Sequence, residues 1–392
     1  MQYRFLDSIS EIETESWNSL LQTNYPFAQH EFLDALETSG CVGVESGWIP
    51  RHLILQDSNN LVAALPLYEK SHSYGEYVFD WAWADAFHRY GRPYFPKLVS
   101  AIPFTPVTGP RVLANKDTHL QDLLPQIQDA ITGICRQKDF SSWHLLFPEG
   151  ELIDELEAAD AEAGNTRLMR RDAVQFHWQN RDINSGDPYT DFDHFLQDFR
   201  SSKRKQIRRE RRKVAEQGLV LERKSGADIK ESDWQTFYTC YQATYLKRSG
   251  HTGYLNLDFF QRIAQTLSSQ CMIVTATLES NPVAASLFFF DDHCLYGRYW
   301  GALSSFDCLH FEACYYQGIE FAIERGIKRF DPGTQGEHKL VRGFEPVKTY
   351  SYHWIADPEF SAAVDDFLTR ERQQNDRYQE AATDHLPFHR NN

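Results

Sequence analysis

The sequence contains no run of about 18 consecutive apolar residues, the length that a membrane-spanning helix needs. Its first residues, MQYRFLDSISEIETESW, have no basic segment followed by an apolar one, which argues against a secretory signal peptide. The seven cysteines are odd in number and form no C-x-x-C pair, so reduced thiols fit better than disulfides. We therefore expect a soluble, cytoplasmic protein.

Signatures of several enzyme classes are also missing. No G-x-S-x-G, Walker A, G-x-G-x-x-G or H-E-x-x-H motif occurs, so hydrolase, P-loop, dinucleotide-binding and zincin chemistries find no support. The 15 histidines are scattered without the spacing of metal ligands, and we expect no metal site. The net charge of −15 argues against general affinity for nucleic acids or membranes, although it allows a local basic patch.

The length and composition point to two packed domains. A chain of 392 residues is longer than one ordinary hydrophobic core supports. With 42% hydrophobic and 14% aromatic residues, it has enough apolar surface to fold, which excludes global disorder. The two domains are predicted at 1–180 and 181–392.

The two halves of the sequence repeat the same succession of motifs. A segment with a turn, Val-Ala-Ala, an apolar strand and an aromatic strand ending in Trp occurs at 59–83 and again at 280–302. Each predicts a β-hairpin. An amphipathic helix, a buried strand and a Pro/Gly turn then follow in both halves, and each half closes with a strand, QFHW (175–178) or SYHW (351–354). This order predicts a duplicated α/β unit of about 180 residues.

Local signals place several helix starts. Ser10 and Glu13 have the spacing of a capping box. Asp233 is predicted to cap a helix that carries aromatic residues at helical spacing, and Asn256 is predicted to start the next helix. The segment 271–278, CMIVTATL, is predicted to be a strand.

Three segments carry a family resemblance. They are the basic run SSKRKQIRRERRKVAEQGL (201–219), the hairpin VAASLFFFDDHCLYGRYWGA (283–302) and KRFDPGTQGEHKLVRGFEP (328–346). The chain resembles the FemAB-like group and the Fem-type peptidoglycan aminoacyltransferases, and the stretch 79–110 is also similar to that group. This resemblance implies an α/β (α+β) fold of tandem GNAT-like domains, each with a mixed, mostly antiparallel sheet flanked by helices.

One GNAT motif is absent. Acetyltransferases of that fold hold the donor pyrophosphate on an R/Q-x-x-G-x-G/A loop at a helix N-terminus, and the nearest candidate here, RYWGAL (298–303), has Leu at the last position. Fem-type enzymes, which take the acyl group from aminoacyl-tRNA, also lack the strict loop. The acyl donor therefore stays open between acyl-CoA and aminoacyl-tRNA.

The turn FDPGTQGEHKLVRGFEP (330–346) is the first candidate site. Acyl transfer to an amine needs a base and a group that stabilises the oxyanion, and the predicted catalytic residues are Asp331, Glu337 and His338. The resemblance implies that Lys339 or Arg342 contacts a donor phosphate, and that Arg298, Tyr299 and Trp300 lie on the segment that binds the donor. The alternative interpretation of this turn is a solvated hairpin loop.

The run from Arg200 to Lys213 holds nine Lys or Arg and one acid, within one predicted helix whose apolar seam is Ile207 and Val214. Its polar face could bind phosphates of tRNA, CoA or a pyrophosphate-linked precursor. The predicted phosphate-binding residues are Lys203, Arg204, Arg208 and Arg211. The alternative is a charged, solvated linker helix.

The aromatic stretch WAWADAFHRYGRP (81–93) is the candidate acceptor site, because polar groups among aromatic residues commonly line ligand clefts. Asp85, His88 and Arg89, together with Tyr316 in the second half, are predicted to bind the acceptor. For the Trp and Phe residues, core packing is the favoured alternative.

These patterns lead to a main hypothesis and two alternatives. The main one is an N-acyltransferase that moves an acyl or aminoacyl group directly to an amine of a small molecule or cell-wall precursor, without a covalent intermediate. The first alternative is a non-catalytic module on the same fold that recognises cell-wall or nucleotide-linked precursors. The second is a tRNA- or RNA-binding protein that acts through 200–213.

Overall fold

The computed structural model describes residues 1–58, 60–160, 168–334 and 336–389. The chain forms two compact units. Unit 1 combines Met1–Val174 with Lys348–Arg377, and unit 2 combines Gln175–Val347 with the residues from Tyr378 onward. The predicted domains, 1–180 and 181–392, stay a prediction about which parts of the chain fold by themselves.

Unit 1 contains two sheets and the helices that flank them. Its elements in chain order are β1 (Gln2–Leu6), α1 (Thr14–Asn18), α2 (His30–Thr38), β2 (Trp48–Pro50), β3 (His52–Asp57), β4 (Asn60–Leu65), β5 (Tyr68–Lys70), α3 (Trp81–Arg89), β6 (Lys97–Ser100), β7 (Leu113–Ala114), α4 (Leu120–Lys138), β8 (Ser142–Leu146), α5 (Glu151–Asp160) and the start of β9 (Met169–Gln179). Strands β1, β3, β4 and β7 pair antiparallel in one sheet. In the other, β2, β5 and β6 pair antiparallel, and β6 runs parallel to β8.

Unit 2 contains one sheet and its flanking helices. After β9 come α6 (Phe192–Gln197), α7 (Ser201–Glu216), β10 (Leu219–Ser225), α8 (Glu231–Ser249), α9 (Leu257–Thr266), β11 (Cys271–Leu278), β12 (Asn281–Phe290), β13 (Cys294–Ala302), α10 (Leu309–Phe311), a π-helical turn (Glu312–Tyr316), α11 (Gln317–Arg325), β14 (Arg329–Asp331) and a 3₁₀ helix (Glu337–Arg342). The next strand, β15 (Glu345–Ile355), passes into unit 1 at Lys348, and α12 (Pro358–Asp384) belongs to unit 1 as far as Arg377. Strands β10 to β13 are antiparallel, whereas β13 and β14 are parallel.

Two long strands change unit along their length. The last residues of β9 pair antiparallel with β14, so that Trp178 lies opposite Phe330 in unit 2. The last residues of β15 pair antiparallel with β8, so that Trp354 lies opposite Trp143 in unit 1. Each unit therefore completes its sheet with a strand segment from the other half of the sequence, and the predicted closing strands around QFHW and SYHW are confirmed.

The burial pattern follows from the apolar positions of the sequence. The residues of β12 from Ala284 to Phe289 are buried on both faces, as expected for a central strand covered by helices. On α7, Ile207 and Val214 are buried, which confirms the predicted seam. Burial of these apolar faces supplies most of the driving force for folding.

Two predictions about helix starts were wrong. The capping box is formed by Ser8 and Glu11, which close a short 3₁₀ helix, and not by Ser10 and Glu13. Asp233 is the third residue of α8 and accepts a hydrogen bond from the backbone N–H of Lys230, so it supports the helix start from within.

The predicted aromatic strand in the first hairpin is absent from the described residues: 71–80 is irregular, and α3 begins at Trp81. The aromatic segment forms a helix because one face of that helix buries both Trp83 and Phe87 in a hydrophobic cluster. In contrast, Asn256 caps α9 as predicted, and the strand 271–278 and the second hairpin are confirmed.

Candidate functional site

The strands β13 and β14 separate at the candidate site in unit 2. Their parallel pairing ends where Tyr296 lies opposite Asp331, although β13 continues to Ala302. Pro332 lacks a backbone N–H and so ends β14 at this point. Beside the divergence lies a cavity of about 140 Å³. Its lining includes Leu287, Gly297, Arg298, Tyr299, Trp300, His310, Cys314, Tyr315 and Pro332.

A buried carboxylate stands at the end of β14. One oxygen of Asp331, Oδ1, accepts a hydrogen bond of 2.9 Å from the backbone N–H of Gly333. The other, Oδ2, lies 3.5 Å from Nε2 of His177 and accepts no hydrogen bond within the described part of the chain. Burial lowers the pKa of His177 to about 4, although Asp331 acts in the opposite direction, so the imidazole is neutral at pH 7. A buried carboxylate with a free oxygen next to a neutral imidazole can accept a proton.

A buried lysine shares the same turn. Nζ of Lys339 donates a hydrogen bond of 2.5 Å to the carbonyl oxygen of Gly333. Gly333 thus connects Lys339 to Asp331, and its φ of +88° favours glycine at this position. Burial lowers the pKa of Lys339 to about 8, while Asp331 acts to raise it. The ammonium is therefore mostly charged at pH 7 and can be deprotonated at moderately alkaline pH.

His338 and His310 pack against the same two aromatic residues, Phe311 and Tyr315. Nε2 of His338 is 2.9 Å from the hydroxyl of Tyr315, and its ring centroid is 6.2 Å from that of His310. Burial and the cations of Arg342 and Lys339 lower the pKa of His338, and burial lowers the pKa of His310 to about 4. Glu337, at the start of the 3₁₀ helix, is exposed and accepts a hydrogen bond from the hydroxyl of Tyr378.

Arg342 and Tyr316 are held by a buried glutamate of α7. The guanidinium of Arg342 contacts both carboxylate oxygens of Glu210 at 2.9 Å, and the Tyr316 hydroxyl donates a hydrogen bond of 2.5 Å to the same group. The guanidinium also stacks over the ring of Phe311, with 3.4 Å from Cζ to the ring centroid. These contacts fix the 3₁₀ helix against α7. The predicted ligand-binding roles of Arg342 and Tyr316 stay predictions.

The three predicted donor-binding residues of β13 lie together at the cavity. Arg298, Tyr299 and Trp300 all line it, and the guanidinium of Arg298 is 5.0 Å from the Tyr299 ring centroid. The glycine of RYWGAL has a packing role, because a Cβ at Gly301 would lie 2.0 Å from the backbone carbonyl carbon of Cys240 in α8. Only glycine lets α8 approach the strand this closely.

The basic helix α7 is partly neutralised. Arg211 forms ion pairs with Glu312 and Glu320 at 2.9 and 2.7 Å, and Arg208 pairs with Asp193 at 2.8 Å. Two further predicted phosphate-binding residues, Lys203 and Arg204, are half-exposed and form no ion pair with another described residue. Half of the predicted phosphate strip is thus paired with carboxylates, whereas Lys203 and Arg204 carry no such pairing among the described residues.

The predicted acceptor residues of the first half lie on α3 in unit 1. Asp85 and Arg89 form an ion pair one helical turn apart, and both are exposed, as is His88. On the opposite face of α3, Trp83 and Phe87 are buried in a cluster with Leu368 and other residues. The packing interpretation is therefore confirmed for these two aromatic residues, whereas the polar face of α3 is available to ligands.

His177 was missed by the sequence analysis, which treated QFHW only as a strand. A signal was present, because His precedes Trp at the same place in both closing strands, as His177–Trp178 and His353–Trp354. The strand pairing places both histidines at corresponding positions: His177 lies next to Asp331, and Nδ1 of His353 lies 2.6 Å from Nδ1 of His144.

Within the described ranges, no helix is long and apolar enough to cross a membrane. Nor do those residues include a group of three or more His, Cys, Asp or Glu side chains that could hold a metal ion.

A family model described as FemAB-like, peptidoglycan biosynthesis/recognition, matches residues 8–390. No curated protein sequence matches the chain.

Three solved structures are similar in fold. The crystal structure of FemX has a TM-score of 0.52 at 10% identity, covering 93% of this chain and 100% of FemX. The C-terminal domain of a putative lysylphosphatidylglycerol synthetase from Agrobacterium fabrum has a TM-score of 0.52 at 10% identity, with 92% and 97% covered. A conserved protein of unknown function from Bacteroides thetaiotaomicron has a TM-score of 0.51 at 12% identity, with 90% and 99% covered. With the repeated topology of the two units, these likenesses confirm the predicted fold class.

Proposed function

The chain belongs to the FemAB-like family of peptidoglycan biosynthesis or recognition proteins, and from that premise we propose that it is an N-acyltransferase acting on an amine. The observation that carries this proposal is the buried carboxylate of Asp331. Its Oδ2 accepts no hydrogen bond from the described residues, and Asp331 directly precedes Pro332, which lines the cavity. Attack of an amine on an acyl group requires a base that accepts the proton of the nitrogen. Asp331 could be that base, because it stands where β13 and β14 separate beside the cavity.

The proposed reaction is a direct transfer. The amine nitrogen of the acceptor attacks the carbonyl carbon of a thioester or ester donor, and a C–N bond forms. The nitrogen gives its proton to Asp331, the C–S or C–O bond then breaks, and the leaving sulfur or oxygen takes a proton. Holding both substrates in position supplies much of the rate enhancement of such a reaction.

The thiol at the cavity supports direct transfer. Cys314 lines the cavity, but burial raises the pKa of its thiol, so the nucleophilic thiolate is scarce at neutral pH. A covalent acyl-cysteine step would need the thiolate. We therefore assign Cys314 to the wall of the cavity and the nucleophile to the acceptor amine.

Lys339 is the proposed electrostatic partner of the donor. Its ammonium is buried on the same turn as Asp331, and a positive charge in a low-dielectric site strongly stabilises a developing oxyanion or a phosphate. Arg298, Tyr299 and Trp300 are proposed to contact the donor from β13. The cavity of about 140 Å³ is smaller than the roughly 300–1,000 Å³ of most ligand sites, so it would hold the acyl or aminoacyl group alone, with the remainder of the donor outside it.

The class of donor is proposed from the cations outside the cavity. Acyl-CoA and aminoacyl-tRNA both carry phosphates, which Lys203 and Arg204 on α7 could bind. The acceptor is proposed to be an amine of a small molecule or of a cell-wall precursor, and the acceptor-binding role of Asp85, His88 and Arg89 stays a prediction from the sequence. Measuring binding of each donor against salt concentration separates the two classes, because a long tRNA contact gives the steeper dependence.

The test is an Asp331→Asn variant, which keeps the shape of the side chain and removes the base. Purified protein is incubated with acyl-CoA or aminoacyl-tRNA and with amine-bearing muropeptide precursors, and the product is measured by mass spectrometry. We expect the variant to lower kcat at least about 100-fold with donor binding retained. Asp258→Asn, an exposed carboxylate of α9, is the matched control and should leave the rate unchanged.

Two outcomes would count against the transferase. Full activity of Asp331→Asn would exclude Asp331 as the base. Binding of a donor or precursor by the wild-type protein, with no product in any combination, would support the binding module on the same fold instead.

A further inference from the structure

Unit 1 contains a buried polar cluster that the proposed reaction does not use. At its centre is Lys97, the first residue of β6, whose side chain is fully buried. Its ammonium donates to Oε2 of Glu76 at 2.8 Å, to Oγ of Ser73 at 3.0 Å and to Oδ2 of Asp80. The three acceptors belong to one irregular segment, 71–80, so a single lysine holds this segment on the sheet.

Two carboxylate oxygens of the cluster have no hydrogen-bond partner among the described residues. Oε1 of Glu76 and Oδ1 of Asp80 are buried and accept no hydrogen bond from any described residue. Glu76 is 4% exposed and Asp80 is 2% exposed, so bulk water does not satisfy them. Buried polar groups in folded proteins are almost always hydrogen-bonded, and two orphan acceptors in one cluster therefore indicate a bound group that donates.

We propose that this cluster is a binding site for the ammonium group of a primary amine, with Glu76 Oε1 and Asp80 Oδ1 as its hydrogen-bond acceptors. The proposal is independent of acyl transfer, because it concerns binding alone.

The chemistry of the free atoms favours a cation over an anion. Both orphan atoms are carboxylate oxygens, which repel anions and accept N–H groups. Lys97 has no proton left for an anion, since its three donors are engaged. A second lysine shows that the cluster accommodates ammonium groups: Nζ of Lys70 lies 3.9 Å from the ring centroid of Trp48 and donates to the carbonyl oxygen of Tyr74.

The cluster can also adjust its charge to a guest. Burial raises the pKa of Glu76 to about 7, and burial lowers the pKa of Lys70 to about 7. The other charged groups that act on these two are Lys97 and Asp80. When the ammonium of a ligand binds, Glu76 or Lys70 can lose one proton and so restore the net charge of the cluster. Near pH 7 the free energy of that deprotonation is small, because both pKa values are about 7.

The cluster adjoins the position in unit 1 that corresponds to the candidate site of unit 2. The hydroxyl of Tyr94 donates a hydrogen bond of 2.5 Å to Asp80 and lies 3.3 Å from Nε2 of His144. His144 faces His353 across two strands, as Asp331 faces His177 in unit 2. The duplicated fold thus places ionisable groups at the same point of each sheet, and in unit 1 the neighbouring acceptors are Glu76 and Asp80.

The experiment is an NMR titration of the full chain with methylamine and ethanolamine. The reporter is the indole N–H of Trp48, which donates to the carbonyl oxygen of Tyr74 and is assigned by comparison with Trp48→Phe. Methanol and ethylene glycol are the uncharged controls, and acetate is the anionic one. We expect saturable shifts of the Trp48 signal with the amines alone, and a Kd about tenfold weaker at pH 6 than at pH 8, as Glu76 and Lys70 become protonated.

The variant Glu76→Gln keeps the shape of the side chain, and its melting temperature reports whether the fold is intact. It should weaken amine binding at least tenfold, whereas Asp122→Asn, on the exposed face of α4, should not change it. Equal shifts with methanol, undiminished binding by Glu76→Gln, or no saturation by about 100 mM amine in the wild-type protein would each overturn the proposal. The saturation test uses the wild-type protein alone, so its outcome does not depend on whether a variant folds.

Discussion

The pair of Arg342 and Glu210 offers a sharp test of how the candidate site is held in place. The two side chains are only 4% and 10% exposed, and their contacts join the 3₁₀ helix after β14 to α7, 132 positions earlier in the chain. Removing one partner of such a pair leaves the other charge buried without compensation. Arg342→Met and Glu210→Gln should therefore each lower the free energy of unfolding by about 3 to 5 kcal/mol.

The expected loss is a large part of the 5 to 15 kcal/mol that stabilises an ordinary domain. In a unit of this size it corresponds to a fall in melting temperature of about 6 to 20 °C. The double variant Glu210→Leu with Arg342→Met should recover much of the loss, because it leaves no unpaired buried charge. Urea denaturation followed by circular dichroism, for the wild type, both single variants and the double variant, gives the coupling energy.

The chain provides a matched surface pair as control. Arg208 and Asp193 are 57% and 75% exposed at a similar distance, so Arg208→Met should cost less than about 1 kcal/mol. A loss below 1 kcal/mol for Arg342→Met, together with loss of donor binding, would refute the structural role. Arg342 would then be the donor-phosphate ligand that the family resemblance implies.

Three further predictions concern the residues around the cavity. Burial lowers the pKa of His177 in the folded protein from the ordinary 6.5 to about 4. Between pH 6.5 and pH 4 the imidazole therefore binds a proton in the unfolded state but not in the folded state. The free energy of unfolding should fall by about 3 kcal/mol as the pH drops from 6.5 to 4, and His177→Gln should abolish that part of the acid titration measured by urea denaturation. The pKa of Lys339 is lowered to about 8 from 10.5, so stability should rise with pH across that window; Lys339→Met should remove the rise, and exposed Lys328→Met should keep it. Gly301→Ala should lower the melting temperature strongly or prevent soluble expression, because its Cβ would overlap the backbone of Cys240, and an unchanged melting temperature would contradict the packing seen there.

The parts of the fold that local patterns encode were predictable. Strand 271–278 is bounded by turn signals and rich in β-branched residues, and Asn256 is a short polar side chain directly before a helix. The duplicated order of elements also followed from the sequence, because both halves repeat the same motifs. The first hairpin was mistaken because an aromatic-rich segment suits a strand or a buried helix face, and only packing decides between them.

The candidate site was predictable in part. Asp331, His338 and Lys339 were expected together because they lie within nine residues of one turn, and Arg298 to Trp300 because they follow an apolar strand. His177 was not expected, since it approaches Asp331 from a strand about 150 positions earlier. The engagement of Arg342 with Glu210 was equally invisible, because a local pattern carries no information on a partner in a distant helix.

The sequence alone determined the repeated α/β order, the basic helix, the polar turn after β14 and the family. The first three rest on periodicity, capping and local composition, which act over a few residues, whereas the family rests on the resemblance carried by three segments. Tertiary structure decided which charges are buried and which groups face them. Strands β9 and β15 each complete the sheet built by the other half, and this pairing sets His177 beside Asp331 and His353 beside His144. Burial then lowers the pKa values of His177 and Lys339, and no stretch of sequence contains that shift before the chain has folded.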